Sequence, residues 1–281
     1  MKVLLGGIPL GCNNIGDEAI IACVVKILKS SVPGIKLTVA TQDKNTASLG
    51  VKVVPAFGFD GVKISGFKKE IANYDAFIWC GATGLSDYPH IPLKLLDIAQ
   101  KAGKATFIWG VGMDDELNPV FFKVRGKKRF LLRLFGLVGV YENWLKKRLV
   151  SKIKRILPKC QGVWLRDEES REMLGTMGYK DAKLTADSAI FLRPSAIRIL
   201  KTKRDVRSTL GLCISTQRQV KDLEGVKRMI ANIRRAGWEI IGLPMNPKTD
   251  RKLLESLLVW IHRNACGARV YAARLERYGR R

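Results

Sequence analysis

What most constrains this chain is a pattern repeated along its first two thirds. Short apolar runs, several ending in glycine, alternate with stretches whose apolar residues recur at helical spacing. "KVLLGGI", "KLTVAT", "VKVVPAF", "YDAFIWCGA" and "KATFIWGVG" read as strands. "DEAIIACVVKILKSS" and "LKLLDIAQKAG" read as helices, the first stopping before Pro33-Gly34 and the second closed by Gly103. "GVWLRDEES" starts as a strand and becomes the head of a helix, and "AKLTADSAIFL" brings the chain back to the sheet. Strands alternating with helices imply an α/β fold: a mostly parallel sheet with helices on both faces. Apolar residues make up 47% of the 281, enough for a substantial core. The opening "MKVLLGGIPLG" breaks at Gly6, Gly7 and Pro9 and meets acids at Asp17 and Glu18, so it reads as a buried first strand and not a secretion signal. No apolar run reaches 18 residues, so no membrane-spanning helix is expected.

The pattern pauses at the basic stretch "RPSAIRILKTKRDVRS" (193–208), which reads as a linker, and then restarts. "TLGLCIST" and "WEIIGLPMN" read as strands, "VKDLEGVKRMIANIRRAG" and "DRKLLESLLVWIHRN" as helices, and "ARVYAA" as a last strand. The expectation is two domains, 1–195 and 206–281. The second is short for a nucleotide-type α/β domain and reads as incomplete.

In parallel sheets of this kind ligands bind beyond the carboxyl ends of the strands. Four strand ends here are rich in glycine and polar residues: 11–17, 80–87, 110–115 and 166–170. In "GCNNIGDEAI", Gly11 and Gly16 permit close backbone approach, and Asn13 and Asn14 can close a turn or bind a ligand. A helix starting near Asp17 would offer free N–H groups to an anion. Equally, Asp17 could be its N-cap and Glu18 a complement to its dipole. Neither a Walker A loop nor a G-x-G-x-x-G fingerprint is present. In "WLRDEESREML", Arg166 leaves a buried strand ahead of Asp167 and Ser170. It could grip a phosphate or carboxylate bidentately, or serve an internal Arg–carboxylate network. His90 follows "GLSDYP" on a strand-end loop and is a further site candidate.

"NNIGDEAI", "WGVGMDD", "WLRDEESREMLGTMGY", "TADSAIFL" and "GWEIIGLPMN", in that order, resemble the polysaccharide pyruvyl transferase family. The resemblance runs from residue 1 to about 260. It implies two Rossmann-like domains of the glycosyltransferase-B type. It also implies transfer of a pyruvyl group from phosphoenolpyruvate to a glycan or lipid-linked sugar acceptor, with no cofactor and no metal. On this resemblance Arg166 grips the donor, and Asp17 holds the acceptor hydroxyl or assists proton transfer. Asn14, Gly16, Gly81, Gly84, Gly112, Asp167 and Ser170 are the substrate-binding candidates, with Gly110 also lining the cleft, and His90 joins them by its position alone. The family's Arg-x-His motif is absent, and the role of its histidine is not carried over to His262, which lies in a predicted helix ahead of the motif's place. Residues 263–281 turn rich in Arg and Ala. The chain is therefore expected to be weak or inactive in catalysis. The alternatives are a sugar-nucleotide glycosyltransferase of the same architecture and a noncatalytic remnant that binds anionic membrane or nucleic acid.

Charge is distributed unevenly. Residues 1–120 hold 12 Lys and Arg against 11 Asp and Glu; residues 121–281 hold 38 against 14. Residues 121–160 alone carry 13 basic residues and one acid, Glu142. Helical spacing there places Phe130, Leu134 and Leu137 on one side, then Trp144, Leu149, Ile153 and Ile156. A basic amphipathic helix suits an anionic membrane surface, while a basic helix packed on the sheet by its apolar face is the commoner case. No nucleic-acid motif is visible in it, so no specific nucleic acid is expected. The six cysteines form no CxxC pair, and neither His90 nor His262 neighbours a Cys pair. They read as free, buried thiols in a reducing cytoplasm and not as a zinc site. The expected location is the cytoplasm, with the basic stretch suited to a peripheral hold on the membrane.

Overall fold

The computed structural model describes residues 1–11, 14–42, 49–192, 208–216, 220 and 222–264. They divide into two compact units: residues 1–11 and 16–192 make the first, and residues 14, 15 and 208–264 belong to the second.

The first unit is a seven-stranded, wholly parallel sheet. Its strands are β1 (Lys2–Gly6), β2 (Lys36–Thr41), β3 (Lys52–Pro55), β4 (Ala76–Cys80), β5 (Ala105–Val111), β6 (Gly162–Leu165) and β7 (Lys183–Leu184). They lie side by side in the order β3-β2-β1-β4-β5-β6-β7. The helices are α1 (Ile15–Ser31), α2 (Phe67–Ile71), α3 (Gly84–Asp87), α4 (His90–Lys101), α5 (Pro119–Phe122), α6 (Gly126–Leu134), α7 (Val138–Ile156) and α8 (Glu168–Thr176). The chain moves outward one way from β1 to β3 and the other way from β4 to β7. Right-handed crossovers therefore put α1 and α4 on opposite faces of the sheet. The central strands are buried on both faces, which is why they read as continuous apolar runs and not as alternating ones. Val3, Leu4, Leu5, Phe77, Trp79, Cys80 and Ile108 are all fully buried.

Three expectations are corrected. The first helix begins at Ile15, two residues ahead of Asp17, so Asp17 is not its N-cap and Gly16 lies within its first turn and not in a loop. The helix before Gly103 begins at His90, so His90 opens α4 and is not a loop residue. The basic segment is not one continuous amphipathic run. Gly136, at φ 65°, breaks it between α6 and α7. Of the residues expected to share an apolar side, only Leu149, Ile153 and Ile156 are buried, on the second half of α7, which packs on α4. Phe130, Leu134, Leu137 and Trp144 are exposed.

In the second unit, β8 (Thr209–Leu212) pairs in parallel with β9 (Glu239–Gly242), next to α9 (Leu223–Arg235) and α10 (Arg251–Asn264). Leu212, Ile230, Leu254, Leu257 and Ile261 form its core. Asp250 is its buried anchor. Its carboxylate accepts from Thr216 N (3.0 Å) and Oγ1 (3.1 Å), Asn246 N (2.8 Å) and Thr249 Oγ1 (3.0 Å). Burial pushes this carboxyl up, but the hydrogen bonds outweigh it and hold it below the usual carboxylate range. The expected linker (save its last residue, Ser208) and the expected strand "ARVYAA" lie outside the described residues, as does the side chain of His262.

Candidate functional site

The four polar strand ends belong to β1, β4, β5 and β6, which are consecutive in the sheet. Sequence elements up to 155 residues apart thus meet along one edge. The direction of winding reverses between β1 and β4, the place where sheets of this kind bind ligands. "GCNNIGDEAI" follows the first of these strands and "GATGLSD" the second.

On the β1 side, Glu18 Oε1 accepts from the backbone N–H of Gly11 at 2.9 Å, so Glu18 pins the loop. Asp17 is 6% exposed. Ile20, three residues on and thus on the same helix face, packs over Gly81, where a β-carbon would meet Ile20 Cγ2 at 2.3 Å. That contact places Asp17 on the inner face of the first turn of α1. Asn14 precedes the helix and is half-buried. Gly84 is buried because Trp79 lies beneath it, the ring's Cζ2 only 2.7 Å from where a side chain would begin.

The β5 and β6 ends are joined into one hydrogen-bonded cluster. A bulge at Gly110 (φ 65°) shifts the register of β5 on β6. Gly112 N then donates to Ala82 O at 2.7 Å, and Arg166 N to Val111 O at 3.3 Å. Two buried serines grip the next two residues. Ser170 Oγ accepts from Met113 N at 2.7 Å, and Ser86 Oγ accepts from Asp114 N at 3.1 Å. Ser170 comes from α8 and Ser86 from α3, so the loop after β5 is held from both sides. Asp167 caps α8, its Oδ1 accepting from Ser170 N at 2.8 Å.

Arg166 lies over this frame. Its Nε donates to Asp167 Oδ2 at 2.9 Å, and Nη1 stands 3.8 Å from Asp187 Oδ2. The side chain is 27% exposed, and its guanidinium lies against the bare Cα of Gly112. Burial raises the Asp167 carboxyl, but hydrogen bonds from Ser170 and Arg166, with the Arg166 charge, hold it below the usual carboxylate range. Asp187 also caps the following turn by accepting from Ala189 N at 2.9 Å. Two members of the cluster, Ser86 and Asp187, escaped the sequence reading. Asp187 lies inside the motif "TADSAIFL"; Ser86 had no signal of its own.

His90 is placed differently. Its ring stands 5.4 Å from Phe122 and 6.2 Å from Phe121, on the side where α4 meets α5. Burial first, then the charges of Lys152 and Arg148, push the imidazole below its ordinary range. Among the described residues no group of three or more His, Cys, Asp or Glu stands close enough to hold a metal ion. Of the four described cysteines, all free thiols, Cys23 and Cys80 are buried as expected, but Cys160 is half-buried and Cys213 exposed, which corrects the expectation of buried thiols.

A doubly wound parallel sheet with its polar strand ends gathered beside the reversal point defines a Rossmann-like unit. A second parallel α/β unit follows it. The chain belongs to the polysaccharide pyruvyl transferase family, whose model matches residues 14–264. No curated protein matches the sequence. Among solved structures it is similar to a protein assigned as a UDP-N-acetylglucosamine 2-epimerase from Listeria monocytogenes, at 11% identity and a TM-score of 0.49, over 92% of this chain and 66% of that one. It is also similar to the UDP-GlcNAc 2-epimerase of Neisseria meningitidis, at 14% identity and a TM-score of 0.46, over 93% and 70%. The chain thus spans about two thirds of the length of the first of these.

Proposed function

We propose that the first unit binds phosphoenolpyruvate beyond the ends of β5 and β6, as the donor half of a pyruvyl transfer to a sugar. The acceptor is a cell-surface polysaccharide or its lipid-linked precursor. In that reaction two sugar hydroxyl oxygens bond to the donor's C2, the bond from C2 to the phosphate oxygen breaks, and inorganic phosphate leaves. One hydroxyl proton is balanced by protonation of the methylene, which becomes a methyl group, and the other by the departing phosphate. The chemistry needs a cation for the donor's phosphate and carboxylate, and groups that move protons.

The observation that carries this reading is the seating of Arg166. It is oriented by Asp167, backed by Gly112 and partly open to solvent, and the loop after β5 on which it rests is clamped by two buried serines. A pre-oriented guanidinium offers a planar, two-pronged contact to an oxyanion. The 3.8 Å contact to Asp187 is at the long end of an ion pair, and it is the contact that an incoming phosphate replaces. Asp17, on the inner face of α1, is the candidate to orient an acceptor hydroxyl or to move its proton.

The reading is tested by incubating the chain with phosphoenolpyruvate and a panel of hexose oligosaccharides. Phosphate release is followed together with the proton NMR signal of the new ketal methyl group. Sugar-dependent release with that signal supports it. Transfer from nucleotide sugars, with none from phosphoenolpyruvate, would replace it with a glycosyltransferase.

A further inference from the structure

The least explained surface of the molecule is the helical hairpin between β5 and β6. α6 has no buried residue at all, and the first half of α7 has none either. Yet Phe130, Leu131, Leu134, Phe135, Val140 and Trp144 all point to solvent, with Phe130 65% and Phe135 73% exposed. A nine-residue helix with no buried face and no side-chain cap gains little from its own backbone. So many exposed apolar side chains gathered on one short hairpin of a charged surface mark a contact site. The hairpin is nonetheless defined: Lys128 Nζ donates to Tyr141 OH at 2.6 Å and lies over that ring, and Tyr141 packs on Trp144.

The charge around the patch identifies the partner. Lys127, Lys128, Arg129 and Arg133 are all exposed on α6, and Lys146 and Lys147 continue the basic face along α7. Glu142, the segment's one acid, is half-buried and accepts from Val124 N at 3.0 Å. A second copy of the chain is disfavoured, since a two-fold contact would bring like charges together. Nucleic acid would engage the cations and could stack on Phe130, Phe135 and Trp144, but it would leave Leu131, Leu134 and Val140 unused. An anionic bilayer uses both: the headgroup layer takes the cations, and the acyl boundary takes the apolar side chains, with Trp144 at the interface.

We propose that the α6–α7 hairpin docks this protein on anionic membrane surfaces, with the 130–144 patch immersed at the headgroup boundary. The inference rests on the surface alone and not on the transfer chemistry, so it is tested with no donor present. The full chain is floated with phosphatidylcholine vesicles, with and without one quarter phosphatidylglycerol. The expected result is capture by the anionic vesicles, weakened at high salt. Capture should fall about tenfold or more in Leu134→Asp/Phe135→Asp and in Lys127→Gln/Lys128→Gln/Arg129→Gln. Circular dichroism should show both variants folded. A second readout needs no disruptive change: brominated lipid should quench the wild-type fluorescence, and Trp144→Phe should remove most of that quenching. Capture that ignores both sets of substitutions overturns the proposal. So does quenching that survives Trp144→Phe, duplex DNA binding without vesicle binding, or a self-associated chain that the Asp variant turns into monomers without any vesicle capture.

Discussion

The guanidinium of Arg166 lies flat against Gly112: a β-carbon at position 112 would stand 2.4 Å from Nε and 2.7 Å from Cζ. The glycine serves the arginine's position and not a turn, and a side chain there must displace it. Gly112→Ala is therefore expected to weaken phosphoenolpyruvate binding about tenfold or more, equivalent to about 1.4 kcal/mol. The unfolding temperature should drop only modestly. Calorimetric titration of the folded variant checks this; unchanged affinity would mean that the Arg166 pose is irrelevant to the donor.

Ser170 and Met113 are 57 positions apart in sequence and share a 2.7 Å hydrogen bond in a fully buried setting. Ser170→Ala leaves the Met113 N–H without that acceptor. The expected cost is about 1–3 kcal/mol, the usual penalty for a buried donor stripped of its partner. Denaturant unfolding of the first unit measures it, and hydrogen exchange at Met113 should quicken.

The strands were legible because a parallel sheet buried on both faces needs unbroken apolar runs, and "AFIWC" could be little else. The helix starts were less legible. Pro92 sits in the first turn of α4, where a missing N–H costs nothing, so the helix begins at His90, ahead of the apolar periodicity. α3 and α5, at four residues each, are too short to show a period. Within the site, Arg166 and Asp167 were readable as neighbours in sequence. The grips of Ser86 on Asp114 and Ser170 on Met113 were not, since each joins loops from different strands. The reason for each glycine was also hidden. Gly81, Gly84 and Gly112 make room for Ile20, Trp79 and Arg166, contacts that only the packed fold reveals.

Asp250 should give the second unit a defined acid sensitivity. Its folded-state pKa is depressed, so its stabilisation is complete above the ordinary carboxylate range, near 4. It is lost as pH falls from there through the lower folded value. Asp250→Asn should cost about 2 kcal/mol or more near neutrality, since four hydrogen bonds converge on the carboxylate. It should also flatten the acid limb of the second unit's pH–stability curve. A curve of unchanged shape would contradict this assignment.

The thiols should separate by reactivity. Burial pushes the Cys80 thiol up to about 12 and the Cys160 thiol up to about 11, while Cys213 is exposed. Because the thiolate is the nucleophile, site-resolved alkylation near pH 8 should mark Cys213 ahead of Cys80 and Cys160. Cys80 should stay unmodified until the first unit unfolds. Early labelling of Cys80 would show that the β1–β4 core opens far more readily than its packing implies.

The most direct test is a calorimetric titration of phosphoenolpyruvate into the wild-type chain and into Arg166→Ala. The wild type should bind, and the variant should bind at least about thirtyfold more weakly while melting cooperatively, as loss of a charge-assisted two-pronged contact requires. Equal affinity in the two chains, or no binding to the wild type, would contradict the placement of the donor at Arg166.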